Sequence, residues 1–215
     1  MSLHRLAAIA LAAALAAGLA AAAERTVDQT HPLAADGVVR VDNLAGSVAV
    51  TGWDRAEVRI RGTLGKGVRG LAVETSPGEL GLEVELEGRR DGHAELELVV
   101  PAGATVEVET VSADIRAAGL VGELSLESVS GSVEVSGRPR GLDAASVSGV
   151  VTVELAPDRS HLETVSGGIE VGEAVGRLDA ESVSGVIRIG LGGVSRSSVE
   201  SVSGDIGLTG ERLAY

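Results

Sequence analysis

Glutamate recurs at one repeat position of this chain: Glu109, Glu127, Glu163, Glu181 and Glu200, with Ala145 interrupting the series. Stacked carboxylates can serve two ends. Oxygen-rich sites suit hard divalent cations such as calcium, which makes Glu127, Glu163, Glu181 and Glu200 the candidate metal column. Stacked like charges also repel, so the same column reads as an exposed, solvated face that discourages aggregation. The Gly-Gly-x-Gly-x-Asp calcium-roll repeat is absent, and the solvated face is the favoured reading. A hydroxyl runs beside it at Ser128, Ser146, Thr164, Ser182 and Ser201. A catalytic nucleophile needs one base, itself oriented by a third group, and five equivalent hydroxyls do not describe one activated serine. Asp158, Ser160 and His161 lie close in sequence, but nothing in their spacing assembles a triad.

Other chemical signals are weaker. The string GKGVRG, Gly65 to Gly70, matches the glycine spacing of phosphate loops, but LAVET follows it instead of a helix. Without a helix N-terminus the phosphate has nothing to bind, so the stretch reads as a basic hairpin loop. His4, His31, His93 and His161 show no metal-ligand spacing. The chain has no cysteine, which excludes disulfides, thiolate catalysis and cysteine-ligated metals. A formal net charge of -13 argues against nucleic acid and against electrostatic docking on anionic lipid. Arg138, Arg140, Arg159, Arg177 and Arg196 fall in the turns and form a candidate basic edge. No cofactor and no catalytic residue are indicated.

The elements that carry these residues are repeats. The motif valine falls at Val111, Val129, Val147, Val165, Val183 and Val202, in steps of 18 with a last step of 19. Clear copies are LSLESVSGSVEV, Leu124 to Val135, and LDAESVSGVIRI, Leu178 to Ile189. An early copy, VRVDNLAGSVAV, Val39 to Val50, puts Asn43 in the place of Ser128 and keeps Gly46 near the bend. Apolar residues alternate within each copy, a strand signal, and turn formers such as SGRPRG and APDRS separate the copies. Short strands at a fixed period predict an all-β chain: a single-stranded-type β-solenoid, β-helix-like, with coils of about 18 residues and a less regular β N-terminal part. Gly131, Gly149, Gly167, Gly185 and Gly204 then stack at the bend, where glycine opens backbone angles closed to other residues. Ala113 takes that place in the first regular copy, which predicts a gentler bend there. Aromatics make up 1% of the chain, so the core must be thin and aliphatic. Trp53, the one tryptophan, is expected to plug the core at the first turn.

The N-terminus carries an address. A basic start, MSLHR, precedes 18 uncharged residues from Leu6 to Ala23 and a small-residue site at AAAERT. This is the order of a secretory signal peptide cleaved after Ala23, and no later stretch is apolar enough to span a membrane. The expected organisation is a signal peptide at 1–23, an N-terminal linker at 24–36 and one domain at 37–213. Within that domain, 37–108 is less regular and 109–209 holds the regular repeats.

The stretch VDNLAGSVAVTGWDRAEVRI, followed by the repeated VSG units, resembles the putative adhesin family of exported bacterial β-strand-repeat proteins, a domain of unknown function. The resemblance covers about residues 37–208. It implies a cell-envelope protein with a β-solenoid fold, periplasmic or at the cell surface, and it implies no catalytic residues. The expected function is non-enzymatic: binding, adhesion or scaffolding of an envelope protein or glycan along the repetitive surface. The alternatives are end-to-end self-association through unpaired edges and a polysaccharide-acting β-helix enzyme.

Overall fold

The computed structural model describes residues 25–88 and 92–210. The signal-peptide segment lies outside the described residues. Fifteen strands follow in chain order. The first six are β1 (Arg25–Pro32), β2 (Val38–Trp53), β3 (Glu57–Leu64), β4 (Val68–Ser76), β5 (Glu79–Leu86) and β6 (Ala94–Pro101). Then come β7 (Thr105–Ala118), β8 (Glu123–Ser128), β9 (Val133–Ser136), β10 (Gly141–Ser146) and β11 (Val151–Ala156). The last are β12 (Arg159–Thr164), β13 (Ile169–Ser182), β14 (Ile187–Ser201) and β15 (Ile206–Gly210). β1 lies within the stretch expected to be a linker and pairs antiparallel with β3 along its whole length.

The 18-residue period sets the pairing register. Leu124 lies beside Leu142, Leu142 beside Ser160, and Ser160 beside Leu178, all in parallel strands. Two ribbons result. β8, β10 and β12 form one, and β9 and β11 form part of the other. Two 14-residue strands join them. β7 pairs with β8 over Val106–Thr110 and with β9 over Ile115–Ala118. β13 pairs with β12 through its second half and with β11 through its first. The hydrogen-bonded order β7, β8, β10, β12, β13, β11, β9 therefore returns to β7.

This closure corrects the expected single-stranded-type β-solenoid: the sheet contains a closed barrel of seven parallel strands, to which the remaining strands are added. The periodic sequence specified which strands lie side by side. It did not specify that β7 and β13 run unbroken from one ribbon to the other, and that continuity closes the ring. Around it, β2 pairs in parallel with β7 along its length. On its other side β2 pairs with β5 at one end and β6 at the other. β3–β6 and β4–β5 are antiparallel, so the N-terminal part is the less regular one. β14 extends β13, and among the described residues β15 pairs only with β14.

The core is aliphatic. Leu126, Ala144, Leu162 and Ala180 occupy one inward level, and Val133, Val151, Ile169 and Ile187 another, all with no exposed surface. Alternating large and small side chains at one level lets the layers interdigitate. Trp53 does not plug this core. It is half-buried at the end of β2, its indole N–H donates to the Glu57 carbonyl at 2.8 Å, and the Arg55 guanidinium stands 5.0 Å from the ring centroid.

The stacked glycines are needed for a different reason from the one expected. Gly46 has φ of 116°, but the column from Gly131 to Gly204 is outside the left-handed region. What excludes a side chain there is proximity. A Cβ on Gly149 would collide with the Gly131 carbonyl, one on Gly167 with the Gly149 carbonyl, and one on Gly185 with the Gly167 carbonyl. Ala113 escapes this constraint. β7 passes through it as continuous strand, and its partner across β2 is Gly46.

Backbone-to-backbone contact at the corner predicts a severe effect of one methyl group. Gly167→Ala should cost about 3 kcal/mol or more, the upper range for overpacking. Gly193→Ala, whose Cβ would meet only the Val175 side chain at an ordinary 3.7 Å, should stay within about 0.5 kcal/mol. Urea unfolding of both variants checks the contrast.

Candidate functional site

Period-two alternation carries through the motif. In Glu127-Ser128-Val129, the serine is buried while the glutamate and valine point outward. The inward hydroxyls complete the corner. The N–H of Gly149 donates to Ser146 Oγ at 2.9 Å, and that hydroxyl donates to the Gly131 carbonyl at 3.0 Å. Thr110 Oγ1 donates to Ser128 Oγ at 2.9 Å. Gly131, Gly167, Gly185 and Gly204 donate in the same way to Ser128, Thr164, Ser182 and Ser201, at 2.8–3.0 Å. Asn43 occupies the equivalent place in β2. Its longer amide reaches the Ala94 carbonyl at 3.2 Å, because β6 rather than another repeat lies alongside. The hydroxyl column is a folding device, with one buried group satisfied in each repeat.

The outward residues are left over from folding. Val111, Val129, Val147, Val165 and Val183 are 42–48% exposed, and Val202 is 81% exposed. Along the ladder the backbone N–H groups bond to the preceding repeat: that of Val147 donates to the Ser128 carbonyl and that of Val165 to the Ser146 carbonyl. The valines form a continuous apolar ladder with the glutamate column along one side. Together they line a groove of about 850 Å³, which begins at Leu44, Val84 and Leu86 and runs to Val202. Neighbouring strands are about 4.8 Å apart. The six steps from Leu44 to Val202 therefore make a groove about 29 Å long.

The valines are the candidate site residues that sequence reasoning missed. Their parity was legible. With Leu126 and Ser128 facing inward, Val129 must face outward with Glu127.

The other candidates are placed as follows. Glu127, Glu163, Glu181 and Glu200 do stack in register. Among the described residues, no group of three or more His, Asp or Glu side chains is arranged to hold a metal ion. The column presents one carboxylate per strand, whereas calcium takes six to eight oxygen ligands. Ser160 and His161 point to opposite faces: Ser160 Oγ donates to the buried Pro157 carbonyl, and His161 Nε2 faces Glu163 Oε1 at 2.8 Å. His31 faces Gln29, and His93 lies 3.6 Å from Glu95. The Gly65–Gly70 stretch leads directly into strand β4, which supplies no helix N-terminus.

The arginine edge is a real column in part. Arg159, Arg177 and Arg196 are in register and exposed. They sit four residues before the glutamates on the same outward face, about 13 Å away at strand rise. That separation exceeds the Debye length of about 8 Å at physiological salt, so the two columns act largely as separate surfaces.

Some carboxylates away from the groove are paired across strands, while others such as Glu154 and Asp179 have no such partner among the described residues. Glu123 pairs with Arg159, Glu134 with Arg116 and Glu170 with Arg188, at 2.7–3.3 Å. Glu109, Glu127, Glu181 and Glu200 have no arginine or lysine partner among the described residues. Among the described residues, the groove lining contains carboxylates, aliphatic side chains and the motif hydroxyls but no basic residue.

No family model matches the chain, and no curated protein matches it in sequence. Among solved structures it is similar to a putative adhesin from Bacteroides fragilis NCTC 9343, at 14% identity and a TM-score of 0.49, covering 88% of this chain and 98% of that one. It is similar to a putative cell adhesion protein from Clostridium sporogenes ATCC 15579, at 10% identity and a TM-score of 0.48, covering 87% and 100%. A third is a putative lipid binding protein from Parabacteroides distasonis ATCC 8503, at 11% identity and a TM-score of 0.36, covering 87% and 97%. The names of the first two match the family that the sequence resembles.

Ser146→Ala leaves the buried Gly149 N–H and Gly131 carbonyl without that partner. It should cost about 1–3 kcal/mol. Ser166→Ala removes only an exposed bond to the Val147 carbonyl and should fall within about 0.5 kcal/mol. Chemical denaturation distinguishes them. Millimolar calcium should leave the melting temperature unchanged; a rise of several degrees would restore the glutamate column as a cation site, because a ligand of the folded state must raise it.

Proposed function

We propose that this chain is a non-enzymatic, exported cell-envelope protein that binds a partner along the valine–glutamate groove. The carrying observation is the unbroken ladder of half-exposed valines. Scattered surface valines need no explanation, but a continuous apolar strip rimmed by charge marks an interaction surface. Folding does not require these side chains, since the hydroxyls and glycines of the same motif already complete each corner. Export is supported by the order of basic, apolar and small residues at 1–23.

Magnitudes fit a binding surface of moderate strength. At about 25 cal/mol per Å², covering a half-exposed valine contributes about 1 kcal/mol. Six of them supply about 6 kcal/mol, within the estimated 4–15 kcal/mol cost of association. The apolar ladder alone therefore roughly offsets that cost, and net affinity must come from the carboxylates beside it. Catalysis is disfavoured by the same geometry: the column lies on one side of the ladder, whereas glycoside hydrolysis places two carboxyl groups on either side of the bond cleaved.

The double variant Val147→Asn, Val165→Asn removes the middle of the ladder. Both side chains are exposed, so its melting temperature should stay within a few degrees of the parent. Retention of the mature protein on isolated envelope fractions should fall at least tenfold. Unchanged retention would overturn the assignment of binding to this groove.

A further inference from the structure

We infer that the partner in the groove is an extended peptide chain bearing lysine or arginine among aliphatic residues. This rests on the groove being the binding surface and adds the chemistry of its occupant. The first argument is charge. Asp42, Glu83 and the five glutamates of the column line the groove, and among the described residues no lysine or arginine does. On neighbouring faces the protein neutralises its own carboxylates across strands, as in Arg159–Glu123, Arg116–Glu134 and Arg188–Glu170. Along the groove no arginine or lysine among the described residues pairs with them, Glu163 meets the His161 imidazole at 2.8 Å, and the carboxylates stand beside one another against an apolar strip. A ligand that brings cations relieves this repulsion, while an acidic or phosphorylated ligand adds to it.

The second argument is shape. The groove runs for about 29 Å from Leu44 to Val202, a length that suits an elongated occupant rather than a compact one. At about 3.3 Å per residue the groove accommodates about nine residues.

The third argument concerns how the chain is read. The groove crosses the strands, and the backbone N–H groups beneath the valines are already bonded to the preceding repeat. No strand can be added there by main-chain pairing, so side chains supply the recognition. Same-side residues of an extended ligand repeat at about 6.8 Å, against about 4.8 Å for the ladder. The two spacings do not lock into a one-to-one register. The groove therefore selects composition, basic plus aliphatic, rather than a fixed sequence, and its binding is salt-sensitive.

The test uses the mature protein and a fluorescently labelled ten-residue peptide of alternating lysine and valine, followed by anisotropy. Saturable binding is expected. It should weaken at least tenfold in the triple variant Glu127→Gln, Glu163→Gln, Glu181→Gln, and at least tenfold between 50 and 500 mM salt. An alternating glutamate–valine peptide should not bind. Absence of saturable binding by the lysine peptide overturns the inference. So does equal affinity for the triple variant, or tighter binding of spermine or of a neutral glucan oligosaccharide. The melting temperature of the triple variant, expected to be unchanged or raised, separates lost binding from lost folding. If the lysine peptide fails while Val147→Asn, Val165→Asn still abolishes envelope retention, only the peptide chemistry falls. If retention is also unaffected, the groove reading falls with it.

Discussion

The N–H of Gly149 points at the hydroxyl of Ser146, and that hydroxyl donates to the carbonyl of Gly131 in the repeat before. The glycine-to-hydroxyl bond recurs at the other corners, and with the backbone bonds between repeats it fixes the chain where it changes direction. It requires an inward hydroxyl, and it requires a glycine whose missing side chain lets the next backbone approach. Once those two positions are fixed, alternation fixes the others. The residue before the hydroxyl and the residue after it must face outward. The glutamate and valine ladders are the geometric consequence of the corner.

Because the corner repeats in register, whatever stands outward is multiplied into a column. A single exposed valine carries little meaning, but a column of them forms a strip. A single glutamate is ordinary, but a column becomes a field with no arginine or lysine partner among the described residues. Elsewhere the same multiplication yields the opposite result: Arg116 beside Glu134 and Arg188 beside Glu170 neutralise each other across neighbouring strands. The chain thus uses one architecture to build both ion-paired faces and a groove of carboxylates without such partners. The arginine column at Arg159, Arg177 and Arg196 lies too far along the strands to cancel the glutamates in physiological salt.

Closure of the barrel gives this surface its rigidity. With β7 and β13 each pairing on both ribbons, the corner between the ribbons cannot open without breaking two sets of strand pairs. A rigid groove loses less freedom on binding than a mobile loop would, which favours association. β2 breaks the pattern at one end of the groove: its neighbour changes from β5 to β6, and Asn43 replaces the hydroxyl to span the altered gap.

The sequence by itself determined the strand character of the repeats, their 18-residue neighbours and the inward or outward parity of the motif residues, because these follow from local alternation and from repetition. It assigned the stacked glycines to backbone angle, whereas they lie outside the left-handed region and meet the preceding backbone too closely for a side chain. It misplaced Trp53, since one aromatic at a strand end carries no periodic signal of its depth. Only the tertiary structure decided that the parallel strands close into a ring. Closure depends on two strands running unbroken between ribbons, and nothing in a period-two pattern states where a strand must stop. The tertiary structure also decided which glutamates find arginines. That pairing joins residues on different strands, 18 or 36 positions apart, and depends on how far each side chain reaches across the sheet.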